Sequence, residues 1–243
     1  MRRHTSTKLL RPEWVLIAGL ATAQVTMAAD WPQWRGPFFN GSSPETGLPA
    51  DWSTTNKIAW STALPGPSSA TPVVWGDRIF LTATHPATKE VIGLCLAVND
   101  GRILWQQPLG PDRPAPAGNN MASPSPVTDG KTVWFLTGLG ALTACRMDGT
   151  RVWQRELAAD FGEFVIKYGY SCSPLLWENK LYVPVLQNKD ARKYNRQAPE
   201  RPPLESFLLA LDPATGQTLW KQVRPTDAED ESAEAYITRF RWS

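Results

Sequence analysis

The sequence predicts an all-β chain: a partial β-propeller of about three four-stranded antiparallel blades and one stray N-terminal strand, behind an export signal. Three observations predict it. A strand, turn and strand segment closing on Trp occurs three times. A Ser-Pro strand pair stands ahead of each copy. Twelve Trp stand against five Tyr in 243 residues, and the repeats account for part of that excess.

The fullest copy is Ala210-Leu-Asp212-Pro-Ala-Thr215-Gly216-Gln-Thr-Leu-Trp220. The apolar run 207–211 enters it, and a second short strand ends on Trp220. The side chains of Asp212 and Thr215 suit hydrogen bonds to turn amides, and Gly216 suits a position with φ > 0. The segment reads as a β-hairpin, and its Trp as a packing element of roughly 150–250 Å². The segments 97–105 and 144–153 repeat the order, with Gly101 before Trp105 and Gly149 before Trp153; in all three copies the Gly lies four residues ahead of the Trp. Upstream, 69–81, 123–135 and 171–183 align on Ser-x-Ser/Thr-Pro, an apolar strand, a turn and a second apolar strand. Each unit is therefore four short strands, which is a propeller blade.

Ala210, Asp212, Thr215, Gly216 and Trp220 match the A-x-D-x-x-T-G-x-x-x-W repeat, so the chain resembles the quinoprotein-like (PQQ-type) β-propellers. The other two copies keep Ala, Gly and Trp and lose the full turn. The opening Asp30-Trp-Pro-Gln-Trp-Arg-Gly-Pro37 resembles the start of secreted PQQ-repeat propellers of unassigned reaction. The resemblance covers roughly residues 30 to 238.

In chain order, residues 1–28 read as a secretory signal: Arg2, Arg3, Lys8 and Arg11, then a short apolar stretch and small residues for cleavage. The stretch is too short for a transmembrane helix, which places the protein in the periplasm or outside the cell. No Cys lies near the cleavage point, which disfavours the lipid anchor of the outer-membrane assembly lipoprotein, a bearer of the same repeat. Residues 29–51 read as an extended arm stapled by Trp31 and Trp34. The propeller spans 52–238, and 239–243 is a divergent tail. Lys57 to Trp60 reads as the outermost strand of a blade whose other strands are missing.

Blade one is expected in strands 70–75, 78–83, 91–98 and 103–107, followed by a Pro-rich link over 108–120 that is not strand. Blade two is expected in 125–128, 133–137, 141–146 and 151–155, then a connector over 157–168 holding a helical turn. Blade three starts at Ser171 and carries a long exposed insertion over 187–205 with Arg192 and Arg196. An acidic stretch after Trp220 reads as a link toward a fourth blade. Three blades and a strand do not close a ring of four to eight. A truncated copy is therefore expected, with a ring shared by several chains as the alternative.

The chemistry is sparse. A net charge of +2 gives no electrostatic case for nucleic acid. Beyond the leader His85 is the lone histidine, in a Thr-His-Pro loop, so a zinc site built on several His is excluded. The sequence has no phosphate loop, no G-x-S-x-G and no H-E-x-x-H. The resemblance implies, for a quinone-dependent dehydrogenase, PQQ over calcium on the axis of an eight-bladed ring, with adjacent cysteines beside it. Cys95, Cys145 and Cys172 are far apart, and Asp212 is explained by its turn. The reading is a non-catalytic exported propeller, with no cofactor, binding a protein, peptide or saccharide on one face. The alternative is a fragment of a PQQ-dependent dehydrogenase of an alcohol or sugar. Asn119, Asn120, Lys167, Tyr168 and Tyr170 precede first strands, which line a propeller's channel. With Arg192 and Arg196 of the insertion they are the candidate ligand surface.

Overall fold

The computed structural model describes residues 29–53, 55–115, 119–164, 166–187 and 204–234. The signal segment, the C-terminal tail and most of the insertion, including Arg192 and Arg196, lie outside the described residues.

Three four-stranded antiparallel sheets form, each from consecutive strands. The first is β1 (Val73–Trp75), β2 (Arg78–His85), β3 (Glu90–Ala97) and β4 (Ile103–Pro111). The second is β5 (Val127–Thr128), β6 (Thr132–Leu136), β7 (Ala141–Arg146) and β8 (Arg151–Glu156). The third is β9 (Leu175–Trp177), β10 (Lys180–Val185), β11 (Phe207–Leu211) and β12 (Thr218–Val223). One short helix, α1 (Leu157–Phe161), follows β8 as expected. The first strands β1, β5 and β9 neighbour one another, so the sheets fan out from a common inner edge.

Burial explains the sequence pattern. The third strands β3, β7 and β11 read as continuous apolar runs because both their faces are covered. Val133, Phe135 and Cys145 of sheet two pack with Phe80, Val91 and Cys95 of sheet one. Trp134, Leu142 and Ala144 pack with Leu181, Val183 and Leu209 of sheet three. The outer strands behave differently: β4 alternates, and every residue of β12 is exposed.

Four expectations need correction. Strand β4 runs through Pro108 to Pro111, although this stretch reads as a non-strand link. β4 is an edge strand, where a proline without an N–H is tolerated, and a register shift between Val91 and Ile92 absorbs the irregularity. Strand β12 continues past Trp220 to Val223, because β11 starts at Phe207 and offers a partner that far out. Lys57 to Trp60 is not a strand. Lys57 sits at φ +60°, which breaks an extended run. The segment instead lies along the free side of sheet one, where Leu64 packs on the cluster of Leu81, Ile92 and Leu94. Finally, the residue of β3 opposite Trp105 is Cys95, whereas Ala144 faces Trp153 and Ala210 faces Trp220. The Ala97 alignment is therefore two residues out of register: the turn of sheet one has the length of the turn in sheet three.

The arm is held by backbone as well as rings. Trp31 and Val74 exchange hydrogen bonds of 2.8 and 2.9 Å, Thr128 N donates to Pro32 O at 2.9 Å, and Gly76 N donates to Asp30 Oδ1 at 2.7 Å. The Phe39 ring then meets Trp177 edge-on at 5.3 Å. The arm thus crosses all three sheets at their first turns.

Candidate functional site

Each sheet is joined to the next by one device. The hairpin turns of the third and fourth strands hold Gly101, Gly149 and Gly216 at φ of +70°, +90° and +72°, a region that favours glycine. The absence of a side chain has a second use. A β-carbon on Gly149 would lie 2.9 Å from the Trp105 ring, and one on Gly216 would lie 2.9 Å from the Trp153 ring. Trp60 stands tighter still on Gly101, where a β-carbon would lie 2.3 Å from the ring. Each indole also donates to a carbonyl just ahead of that glycine: Trp60 to Val98 at 2.7 Å, Trp105 to Met147 at 2.9 Å, Trp153 to Pro213 at 3.0 Å. The polar turn side chains hold their own loops: Asp212 Oδ1 accepts from Ala214 N at 2.7 Å, and Thr215 Oγ1 from Gln217 N at 3.3 Å. Asp148 accepts from Thr150 N in the same way, and that bond holds its carboxyl below the usual range.

A second joint runs along the inner edge. Thr71 N donates to Ser125 Oγ at 2.9 Å, and Ser125 N donates to Ser173 Oγ at 2.9 Å. These three residues hold the same place, immediately before the proline of each Ser-Pro segment. The Ser125 and Ser173 hydroxyls therefore each satisfy an amide of the sheet before their own.

The face opposite the hairpin turns carries the connectors, and four of the expected ligand-surface residues meet there. Asn119 Nδ2 donates to Tyr168 O at 3.0 Å, while Asn119 Oδ1 accepts from Asn120 N at 2.9 Å and from the Ser123 hydroxyl. Asn120 Nδ2 donates to Ser69 Oγ at 2.8 Å, and its Oδ1 accepts from Ala122 N at 2.9 Å. Both amides are engaged at both ends, chiefly in shaping the connectors between sheets. Lys167 N donates to the Glu234 carboxylate at 3.0 Å, and Lys167 Nζ stands 4.9 Å from the centre of the Tyr168 ring. Arg113 pairs with Glu163 at 3.7 Å on the same face.

Tyr170 is a correction. Its ring is buried against Phe164, with 4.8 Å between ring centres, and its hydroxyl donates to Pro184 O. This side chain is core rather than surface, and its burial raises the phenol well above its ordinary value. Gln187 at the base of the insertion was not singled out from sequence. It is buried, and its Nε2 donates to Phe161 O at 2.8 Å and Gly162 O at 3.0 Å, tying the loop base to the end of α1. A buried Gln beside a polar insertion has no local signature, because its partners lie 25 and 26 residues away.

The thiols are inert by placement. Cys95, Cys145 and Cys172 are free and buried. Burial pushes Cys95 and Cys145 up to about 11, against some relief from Arg78 and Arg151 respectively, and pushes Cys172 up to about 12. His85 ends β2, and its Nδ1 lies 3.1 Å from the Thr88 hydroxyl in a turn. Among the described residues no three His, Cys, Asp or Glu side chains converge as metal ligands, and no helix is long and apolar enough to cross a membrane.

The chain is similar to known proteins. The chain is 28% identical over 171 residues to a polyvinylalcohol dehydrogenase of Sphingopyxis sp. (strain 113P3), covering 68% of this chain and 24% of that one. It is 25% identical over 196 residues to a polyvinylalcohol dehydrogenase of Pseudomonas sp., covering 79% of this chain and 28% of that one. The chain thus spans about a quarter of the length of these curated relatives. The quinohemoprotein alcohol dehydrogenase of Comamonas testosteroni superposes with a TM-score of 0.53 at 15% identity, over 84% of this chain and 29% of that one. At that identity the likeness speaks for the fold. Residues 47–183 match the family described as outer membrane protein assembly factor BamB, and with the Gly–Trp hairpins in place the chain belongs to that PQQ-type propeller-repeat family.

Proposed function

We propose that this chain is an exported, non-catalytic propeller scaffold that binds a protein, peptide or saccharide on its connector face. One observation carries the reading. The polar side chains of that face that have the best geometry, those of Asn119 and Asn120, are spent at both ends on connector backbone and on Ser69 and Ser123. A fold that invests its amides in this way yields a rigid platform for loops. The candidate ligand-contacting groups are Lys167, Tyr168 and Arg113 of the connector face, together with Arg192 and Arg196, which lie outside the described residues. Export rests on the N-terminal signal pattern.

A second reading is favoured by the two polyvinylalcohol dehydrogenases: this chain as one part of a PQQ-dependent alcohol oxidoreductase. The residues described here do not fit the quinone. Its adjacent cysteine pair has no counterpart, since Cys95 lies in β3, Cys145 in β7 and Cys172 ahead of β9. Any such activity would depend on residues outside those described.

The full chain, titrated with PQQ and calcium and then with polyvinyl alcohol or short alcohols, separates the two. A cofactor absorbance change with dye reduction sinks the scaffold reading. Binding of peptide or glycan arrays that is lost in the double variant Lys167→Glu with Arg113→Glu supports it.

A further inference from the structure

We infer that Met147 is an oxidation site for hydroperoxides, and that its conversion to the sulfoxide loosens the contact between sheets one and two. The inference goes beyond the scaffold reading and does not depend on it.

The described residues hold five sulfur side chains: Cys95, Cys145, Cys172, Met121 and Met147. Four of them are shielded. The cysteines are buried and held as thiols, whereas peroxide attacks the thiolate. Met121 is 5% exposed, and a β-carbon on Gly138 would lie 3.0 Å from its sulfur. Met147 differs. It borders the cluster of Val73, Phe80 and Phe135 from the turn after β7, and it is partly open to solvent. A thioether reacts without losing a proton, so access to its sulfur decides its reactivity.

The place of Met147 makes the modification consequential. Its carbonyl accepts from two donors of sheet one, Trp105 Nε1 at 2.9 Å and Arg78 Nη1. Its sulfur lies 3.9 Å from Thr128 Oγ1 of β5. That hydroxyl gives its one hydrogen to Thr132 O at 2.7 Å and accepts from Gly130 N at 3.1 Å, which holds the turn between β5 and β6. A thioether sulfur is a weak acceptor and leaves these bonds intact. A sulfoxide is polar and carries a strongly accepting oxygen. Thr128 is 2% exposed, so an oxygen on that side either draws the hydroxyl away from Thr132 O or is buried without a donor. If the side chain turns out to water instead, the cluster loses its packing. Each course disturbs the residue on which Trp105 and Arg78 converge.

The step is a two-electron oxygen transfer. A lone pair of Met147 Sδ attacks one oxygen of hydrogen peroxide, the O–O bond breaks and an S–O bond forms. The departing hydroxide takes up the proton left on the transferred oxygen and leaves as water. Sulfur is oxidised and the peroxide reduced.

The full chain is treated with hydrogen peroxide at neutral pH and mapped by peptide mass spectrometry. Its urea midpoint and the exchange of the Trp105 indole proton are followed in parallel. Met147 is expected to gain one oxygen about tenfold faster than Met121. The midpoint should fall in step with that gain, and the indole proton should exchange faster. A Met147→Leu chain, close in volume and without the sulfur, should keep its own midpoint through the same treatment. Equal rates at Met147 and Met121 overturn the proposal, as does full oxidation of Met147 with midpoint and indole exchange unchanged. A midpoint that falls as far in peroxide-treated Met147→Leu also overturns it, because the sensitive group is then elsewhere.

Discussion

The indole of Trp105 stands directly on Gly149, leaving no room for a β-carbon at that glycine. Gly149→Ala therefore meets two penalties, the left-handed backbone at φ +90° and displacement of the ring. The backbone alone costs about 1–2 kcal/mol. Gly76 provides the control: its φ is +56°, but a β-carbon there meets nothing within 4 Å. Gly149→Ala should lower the urea midpoint clearly more than Gly76→Ala. Equal losses would show that the ring contact contributes nothing.

Trp153 and Trp220 hold equivalent places, but only the first has a glycine turn against it. Trp153→Ala is expected to cost on the order of 3–5 kcal/mol, as for other packed large aromatics. Trp220→Ala should cost less than about 1 kcal/mol, in the range of ordinary surface changes. Denaturant unfolding of both variants checks the pair, and a ranking the other way round would contradict the joint.

Ser125 is buried, and its hydroxyl accepts from Thr71 N. In Ser125→Ala that amide loses its partner, at a cost of about 1–3 kcal/mol. Amide exchange at Thr71 should speed up in the variant while exchange within β7 stays slow. Unchanged exchange at Thr71 would show that the inner-edge bond is dispensable.

The thiols give the molecule an alkaline limit. In the folded chain burial keeps Cys95, Cys145 and Cys172 protonated up to about 11 or 12, whereas the ordinary thiol value is 9.0. Above pH 9 the unfolded chain releases these protons and the folded chain does not, so stability is full below about 9 and falls as pH rises toward 11–12. The urea midpoint should drop across that window and drop less in a triple Cys→Ala chain relative to its own value at pH 8. Iodoacetamide should label none of the three at pH 8 without denaturant.

The fold was largely legible because its signal is periodic. Gly and Trp at a fixed spacing mark one turn and one edge strand, and the Ser-Pro segments mark the inner strands. The misreadings have local physical causes. Pro108 and Pro111 suggested a link because proline breaks inner strands, yet β4 is an edge. Lys57 to Trp60 suggested a strand because Trp60 behaves as a joint residue, and it does hold Gly101, but from a segment broken at Lys57. The ligand surface was less legible. Asn119 and Asn120 do meet Tyr168 and Ser69, but Tyr170 points into the core, and no local pattern distinguishes a connector tyrosine facing solvent from one facing Phe164. The donors to the carbonyls of the turn glycines, at Thr62, Gln107 and Arg155, could not be read at all, since their chemistry differs and only their geometry repeats.

That each sheet carries both a ring to give and a glycine to receive has an evolutionary corollary. A gene segment encoding one such unit can be duplicated, deleted or moved between proteins without redesigning its neighbours, because every seam accepts the same plug.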